Sequence, residues 1–307
     1  MKLGIIGGGG LLGATTAFCC AMNSLVDEIV LYDVRGNMAK SHSVDIALAA
    51  AEQSDTVVRS GSMDNLKNSD IILNAAGIPD KTGSRDDYLR GNVGIIRDFA
   101  QWVRKWDFQP VVICATNPVD VLNYKTFEFS GISREKCIGL SRNDHTRFKW
   151  AISDETGMSP RTFDACVLGE HGQYQVPLFS SVKSCETGQR ISFTDRQKES
   201  ILRKVDAWLG EYQGLDAGRT TGWVSGVNIS YMIELIVSGK DEVCSCSVIT
   251  DGEYGLYGLS LALPVKLGPE GVREIVRIDI TEEEQAGLTR AAEKIGGLIA
   301  TTADKPQ

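Results

Sequence analysis

At residue 7 a short apolar run, Leu3–Ile6, breaks into GGGGLLG and then into the small-residue stretch ATTAFCCAM. Gly8, Gly10 and Gly13 make a G-x-G-x-x-G between a strand-like and a helix-like segment. A second apolar run, Ile29–Tyr32, follows and ends in Asp33, 20 residues beyond Gly13. A lone glycine pattern is weak, since any α/β protein can carry a Gly-rich turn. Strand, glycines, helix, strand and terminal acid at these distances leave far less freedom. The turn lets the backbone of Gly10, Leu11, Leu12 and Gly13 approach a pyrophosphate at the helix N-terminus. Asp33 would accept hydrogen bonds from ribose hydroxyls and repel a 2′-phosphate, which favours NAD over NADP. Arg35, two residues on, is the one feature that could soften this preference.

The alternation continues. Ser41–Ala51 reads as an Ala-rich helix, Val57–Val58 as a short strand and Asp70–Asn74 as a clear one. The last ends in Ala75-Ala76-Gly77, small residues where a backbone passes close to a ligand. The polar stretch 78–91, IPDKTGSRDDYLRG, reads as a loop and candidate lid before a helix at Asn92–Trp106. Val111–Ala115 is another strand, followed by TNPVD with Thr116 and Asn117, and Ile138–Leu140 ends the series. This predicts a Rossmann-type doubly wound parallel sheet over residues 1–140.

Beyond that point the signal changes. A helix begins near Ser141, and Phe163–Leu168 and Ile191–Phe193 are strand-like around a turn at 187–189. Arg196–Gln213 and Trp223–Val237 read as helices, and Glu242–Ile249 and Gly255–Pro264 as strands. A final helix, Thr281–Ala300, opens with a Thr281/Glu284 capping pair and carries the stripe Leu288, Ala292, Ile295, Ile299. The expectation for residues 141–307 is a mixed α+β catalytic domain with a second, antiparallel sheet.

A chain of 307 residues supports two such domains without staples. Its net charge of −8 argues against nucleic acid or an anionic membrane as main partner, but not against a small anion held by local arginines. No apolar run approaches the ~18 residues of a membrane span. A glycine cluster stands where a signal peptide would have its cleavage site, so a cytoplasmic protein is expected. The eight cysteines mostly sit in apolar runs such as VVICATN and DACVLG, and read as buried thiols of a reducing compartment. Cys244 and Cys246 lack the spacing of a zinc site, and no metal is expected.

Acid–base chemistry has only three histidines to draw on. His171 lies in LGEHGQYQVP and by itself is a loop histidine. Asp144 and Arg147 share a helix face; alone they are an exposed pair worth about 0.2–0.5 kcal/mol. His145 is a competing base on another side of that helix, and His42 reads as structural. Arg85 alone is a solvated loop charge, Arg90 is a competing candidate nearby, and Asn117-Pro118 alone is a turn signal.

Taken together, GGGGLLG, Asp33, AAGIPDKTGSRDDYLRGN, ATNPVD, DHTR and LGEHGQYQVP resemble the lactate/malate dehydrogenase family over nearly the whole chain. The resemblance implies an NAD-dependent oxidoreductase acting on a small 2-hydroxy or 2-oxo acid, and a homodimer or homotetramer. It makes His171 the catalytic histidine and Asp144 the carboxylate that holds it. Arg147 grips the substrate carboxylate, Arg85 is the mobile-loop arginine, and Asn117 lies near the substrate carbonyl. Thr221 lines the substrate, and Gly8, Gly10, Leu11, Leu12, Gly13, Asp33, Ala76, Gly77, Asn92, Thr116 and Asn117 form the cofactor site. Imidazole suits a proton transfer near neutral pH, and a guanidinium fork matches a carboxylate.

The lid departs from the family's pattern. Malate-preferring relatives carry an arginine six residues before the mobile-loop arginine, and lactate-preferring ones a glutamine. Here that position falls on Pro79 counted from Arg85, or on Asp80 counted from Gly77. Asp80 would repel a second carboxylate and suit a hydroxyl or amino group, whereas Lys81 could hold one. A third possibility is that neither residue points at substrate. A non-catalytic NAD-binding protein is the competing reading from another class. A metal-dependent relative acting on sugar phosphates is a weaker one.

Overall fold

The computed structural model describes residues 1–78, 85–218 and 221–302, without the side chains of residues 85 and 86. The first part alternates as the sequence predicts: β1 (Lys2–Ile6), α1 (Leu11–Met22), β2 (Glu28–Tyr32), α2 (Gly36–Ala50), β3 (Val57–Ser60), β4 (Ile71–Asn74), α3 (Arg85–Val103), β5 (Val111–Cys114), α4 (Val119–Ser130) and β6 (Cys137–Gly139). These strands run parallel in the order β3-β2-β1-β4-β5-β6. Ile71–Leu73 and Val111–Cys114 are buried on both faces, which is why they read as unbroken apolar runs. The strand order reverses at β1 and β4, and a ligand crevice is expected outside their carboxyl ends.

The second part comprises α5 (Arg142–Thr156), β7 (Phe163–Gly169), β8 (Gln175–Ser184), α6 (Asp195–Gly214), α7 (Trp223–Ser238), β9 (Val243–Asp251), β10 (Tyr257–Gly268), β11 (Gly271–Ile275) and α8 (Glu282–Thr301). Its strands are antiparallel, as expected, but they do not form a second sheet. β9 pairs with β6, and β10, β7 and β8 follow, so the eleven strands among the described residues belong to one sheet with β11 on β10. Gly139 permits the junction: a Cβ there would sit 2.7 Å from the Cβ of Ser247.

Three local expectations are corrected. Ile191–Phe193 is not a strand. Only an isolated Lys183–Arg190 bridge forms, and Ile191 and Phe193 pack as side chains against the core around Phe163 and Val182. The helix expected from Asn92 starts at Arg85, so the second half of the expected loop is helical. Finally, Cys185 is exposed and Cys19 and Cys166 are partly so, while the other five cysteines are buried.

Helix α7 packs so closely on α1 that a Cβ on Gly226 would fall 2.4 Å from Thr15 Cγ2. The other side of α7 locks the start of α5. Asn143 Nδ2 donates to Ser225 Oγ at 2.9 Å, and Asn228 Nδ2 donates to Asn143 Oδ1 at 2.9 Å. Among the described residues no helix is long and apolar enough to cross a membrane.

Candidate active site

One cavity of about 790 Å³ runs from the glycine turn after β1 to His171. Gly7, Gly10, Leu11, Leu12 and Gly13 of that turn line it, as do Asp144, Arg147, His171 and Thr221. Gly77, Thr116 and Asn117 lie on its wall.

The turn is built around a glycine outside the G-x-G-x-x-G pattern. Gly7 has φ +87°, and a Cβ there would lie 2.7 Å from the Ala75 carbonyl carbon. A Cβ on Gly13 would lie 2.5 Å from the Gly7 oxygen, so that glycine is required by close packing. Gly8 packs against Leu31. In a run of four glycines the positive-φ position cannot be picked out by spacing, which is why Gly7 escaped the sequence reading. No side chain caps α1. The first-turn N–H groups of a helix lack intrahelical partners and suit an anion. The turn therefore fits a dinucleotide pyrophosphate.

Asp33 ties this turn to the end of β2. Its Oδ2 accepts from the Gly9 N–H and its Oδ1 from the Arg35 N–H, both at 2.9 Å. The Arg35 guanidinium reaches back to the Gly9 carbonyl at 3.3 Å. A carboxylate offers about four acceptor sites, so ribose hydroxyls can still be accepted. Asp33, Gly8, Ala76 and Asn92 do not line the cavity itself. Asn92 is a brace: its Oδ1 accepts from the Ile78 N–H and its Nδ2 donates to the Asn117 carbonyl, each at 2.9 Å.

Asp144 sits in the first turn of α5, where the helix dipole favours an anion. Its two oxygens serve two partners. Oδ2 lies 2.6 Å from His171 Nδ1, and Oδ1 accepts from Arg147 Nη1 at 2.7 Å. The carboxylate fixes the proton on Nδ1, which leaves Nε2 for the cavity. Burial works against a charged His171, but the charge and hydrogen bond of Asp144 outweigh it and raise the imidazole pKa above the ordinary histidine value. For Arg147 burial wins over Asp144 and lowers the pKa. The surface-pair reading of Asp144 and Arg147 is thereby corrected, since their side chains are only 3% and 17% exposed.

Asp120, within TNPVD, is a second buried carboxylate that spacing alone did not single out. It accepts from the His171 backbone N–H at 2.7 Å and from the Ser247 hydroxyl at 2.5 Å. Burial pushes its pKa up to about 7. It thus pins the histidine loop from below, through the backbone.

The competing histidine stands apart from this cavity. His145 is buried outside the cavity, and burial, with the charges of Arg142 and Lys149, pushes its pKa down to about 3. Arg90 is exposed on α3 and does not line the cavity. Asp80 and Lys81 lie outside the described residues, as does the side chain of Arg85.

The chain and its fold match those of known proteins. Residues 1–139 match the NAD binding domain of lactate/malate dehydrogenase, and residues 142–304 match the alpha/beta C-terminal domain of the same family. The malate dehydrogenase of Halobacterium salinarum is 32% identical over 298 residues, covering 96% of this chain and 97% of the relative. The L-lactate dehydrogenase of Clostridium perfringens is 27% identical over 311 residues, covering 98% and 97%. Among solved structures, the minor L-lactate dehydrogenase from Enterococcus mundtii superposes with a TM-score of 0.90 at 25% identity, covering 99% of both chains. The Cryptosporidium parvum malate dehydrogenase superposes with a TM-score of 0.89 at 27% identity, covering 98% of both.

Proposed function

Since the chain belongs to the lactate/malate dehydrogenase family and is an NAD-dependent dehydrogenase, we propose that it interconverts a small L-2-hydroxy acid and its 2-oxo acid, with His171 as general acid/base. The observation that carries this reading is the continuity of one cavity from the glycine turn to His171, Asp144 and Arg147. Residues 1–140 form the nucleotide unit in this reading and 141–307 the substrate unit.

NAD, when bound, takes or gives the hydride at the substrate carbon. His171 Nε2 moves the proton of the substrate oxygen, and Asp144 stabilises the imidazolium that results. Arg147 offers its free edge to the substrate carboxylate, which a planar guanidinium can bind through two parallel N–H donors. Asn117 and Thr221 complete the wall around the reacting carbon. Arg85 is assigned the developing charge on the carbonyl oxygen, by the family resemblance. The substrate is of the malate/oxaloacetate or the lactate/pyruvate type, and malate-named relatives make oxaloacetate the first to try.

We also infer a cytoplasmic homo-oligomer. All eight cysteines are unpaired, which fits a reducing compartment. Phe18 on α1, Val44 and Leu48 on α2, and Trp223 and Val227 on α7 are exposed apolar side chains on helices that pack together, the kind of face an oligomer covers. The functional test is NADH consumption across monocarboxylic, dicarboxylic, hydroxylated and amino-substituted 2-oxo acids. Turnover of one class supports the reading; NADH binding without turnover of any of them would favour a non-catalytic NAD-binding protein.

A further inference from the structure

Arg147 is held from two directions, and only one of them is the acid three residues before it. Asp144 Oδ1 takes a hydrogen from Nη1 along the guanidinium edge, at 2.7 Å. The flat face of the same group lies over the indole of Trp208, with Cζ 3.9 Å from the ring centroid. Trp208 comes from α6, 61 residues further along the chain, and both side chains line the cavity. Its ring is backed one turn later by Tyr212, at 6.1 Å between centroids.

We propose that Trp208 is a positioning residue for substrate recognition: its indole holds the Arg147 guanidinium in the one plane that leaves a free edge open to a substrate carboxylate. The proposal rests on the carboxylate-binding role given to Arg147 above.

The physical argument concerns rotation. A guanidinium pinned by one N–H···O bond can still swing about that bond. A carboxylate fork needs two coplanar N–H donors pointing the same way. Stacking on an aromatic face removes the swing without using any of the five N–H donors. The two restraints are therefore complementary: Asp144 sets one edge and Trp208 sets the plane. Because Asp144 also holds His171 through its other oxygen, the proton-transfer pair keeps its own anchor when the indole is removed.

The test uses Trp208→Ala and Trp208→Phe in the full-length protein, with NADH and the best 2-oxo acid from the screen. A cation–π contact of this kind predicts that Trp208→Ala raises KM about 5- to 30-fold, while kcat and NADH affinity hold near the wild-type values. Trp208→Phe, which keeps a π face, recovers most of the loss. A second readout needs no turnover: calorimetric titration of the NADH-loaded protein with oxamate, a carboxylate that resists reduction, is weakened by the same factor. Wild-type KM and oxamate affinity in Trp208→Ala overturn the proposal. So does an equal loss in Trp208→Phe, or a fall in kcat with KM unchanged. If the wild type turns over no 2-oxo acid, the functional reading fails instead, and the oxamate titration still decides the role of Trp208.

Discussion

His171 Nδ1 and Asp144 Oδ2 lie 2.6 Å apart although 27 residues separate them in the chain. The contact joins the loop between β7 and β8 to the first turn of α5. It leaves Nε2 as the ring nitrogen for the cavity, and that assignment can be tested directly. His171→Asn keeps a polar side chain of similar reach but cannot take a proton. It is expected to lower kcat by about 100- to 10,000-fold while NADH binding, followed by fluorescence, is retained. Turnover close to wild type would remove His171 from the role.

The pH profile carries the sign of the Asp144 effect. Reduction of a 2-oxo acid needs the protonated imidazole, so its rate is flat at low pH and falls as pH rises through the His171 pKa. Asp144 raises that pKa above the usual value of about 6.5. In Asp144→Asn the raising charge is gone and burial is left to lower it. The falling limb for reduction should move to lower pH, and the rising limb for oxidation should move with it. Profiles of kcat/KM in both directions are the measurement, and unmoved limbs would rule out Asp144 as the cause.

Cofactor choice should turn on Asp33. Its oxygens accept from the N–H groups of Gly9 and Arg35, beside the glycine turn. Asp33→Ser removes the charge that repels a 2′-phosphate and leaves Arg35 free of its ion pair. The NADPH-to-NADH ratio of kcat/KM is expected to rise by about tenfold, equivalent to about 1.4 kcal/mol. Thermal unfolding should show a loss as well, since two backbone donors lose a charged acceptor.

Asp120 predicts a pH-dependent stability difference. Its folded pKa of about 7 lies above its unfolded value because burial disfavours the charge. Its contribution is therefore present in full below the unfolded pKa of about 4, and is lost as pH rises through about 7. Asp120→Asn keeps an acceptor for the His171 N–H and does not titrate. Urea unfolding at a series of pH values should find the variant gaining on the wild type between pH 5 and pH 7.5. A constant difference across that window would show that burial of Asp120 does not act this way.

Much of the first half was legible in the sequence because its signals are local. A strand buried on both faces is apolar throughout, as at Ile71–Leu73, and a glycine turn followed by a helix is contiguous. α4 escaped for the opposite reason. It is buried on most sides, so it has no amphipathic stripe, and its Pro118 start reads as a turn. β8 escaped because it begins within the segment read as the histidine loop; its inward residues Val176, Leu178 and Val182 carry the period-2 signal. The start of α3 was hidden by Gly91, which the fold uses as a seat for Ile78: a Cβ there would fall 2.6 Å from Ile78 Cδ1.

The sequence by itself determined the nucleotide turn, the acid beyond it, and the residue types that a hydroxy-acid dehydrogenase needs. Those depend on short-range geometry and on chemistry that each side chain carries with it. Only the tertiary structure decided that Asp144 serves two partners, that Asp120 lies beneath the histidine loop, and that Trp208 covers Arg147. Each of these joins elements far apart in the chain. Burial and pairing, which set pKa and orientation, exist only once those elements pack, and no spacing along the chain records them.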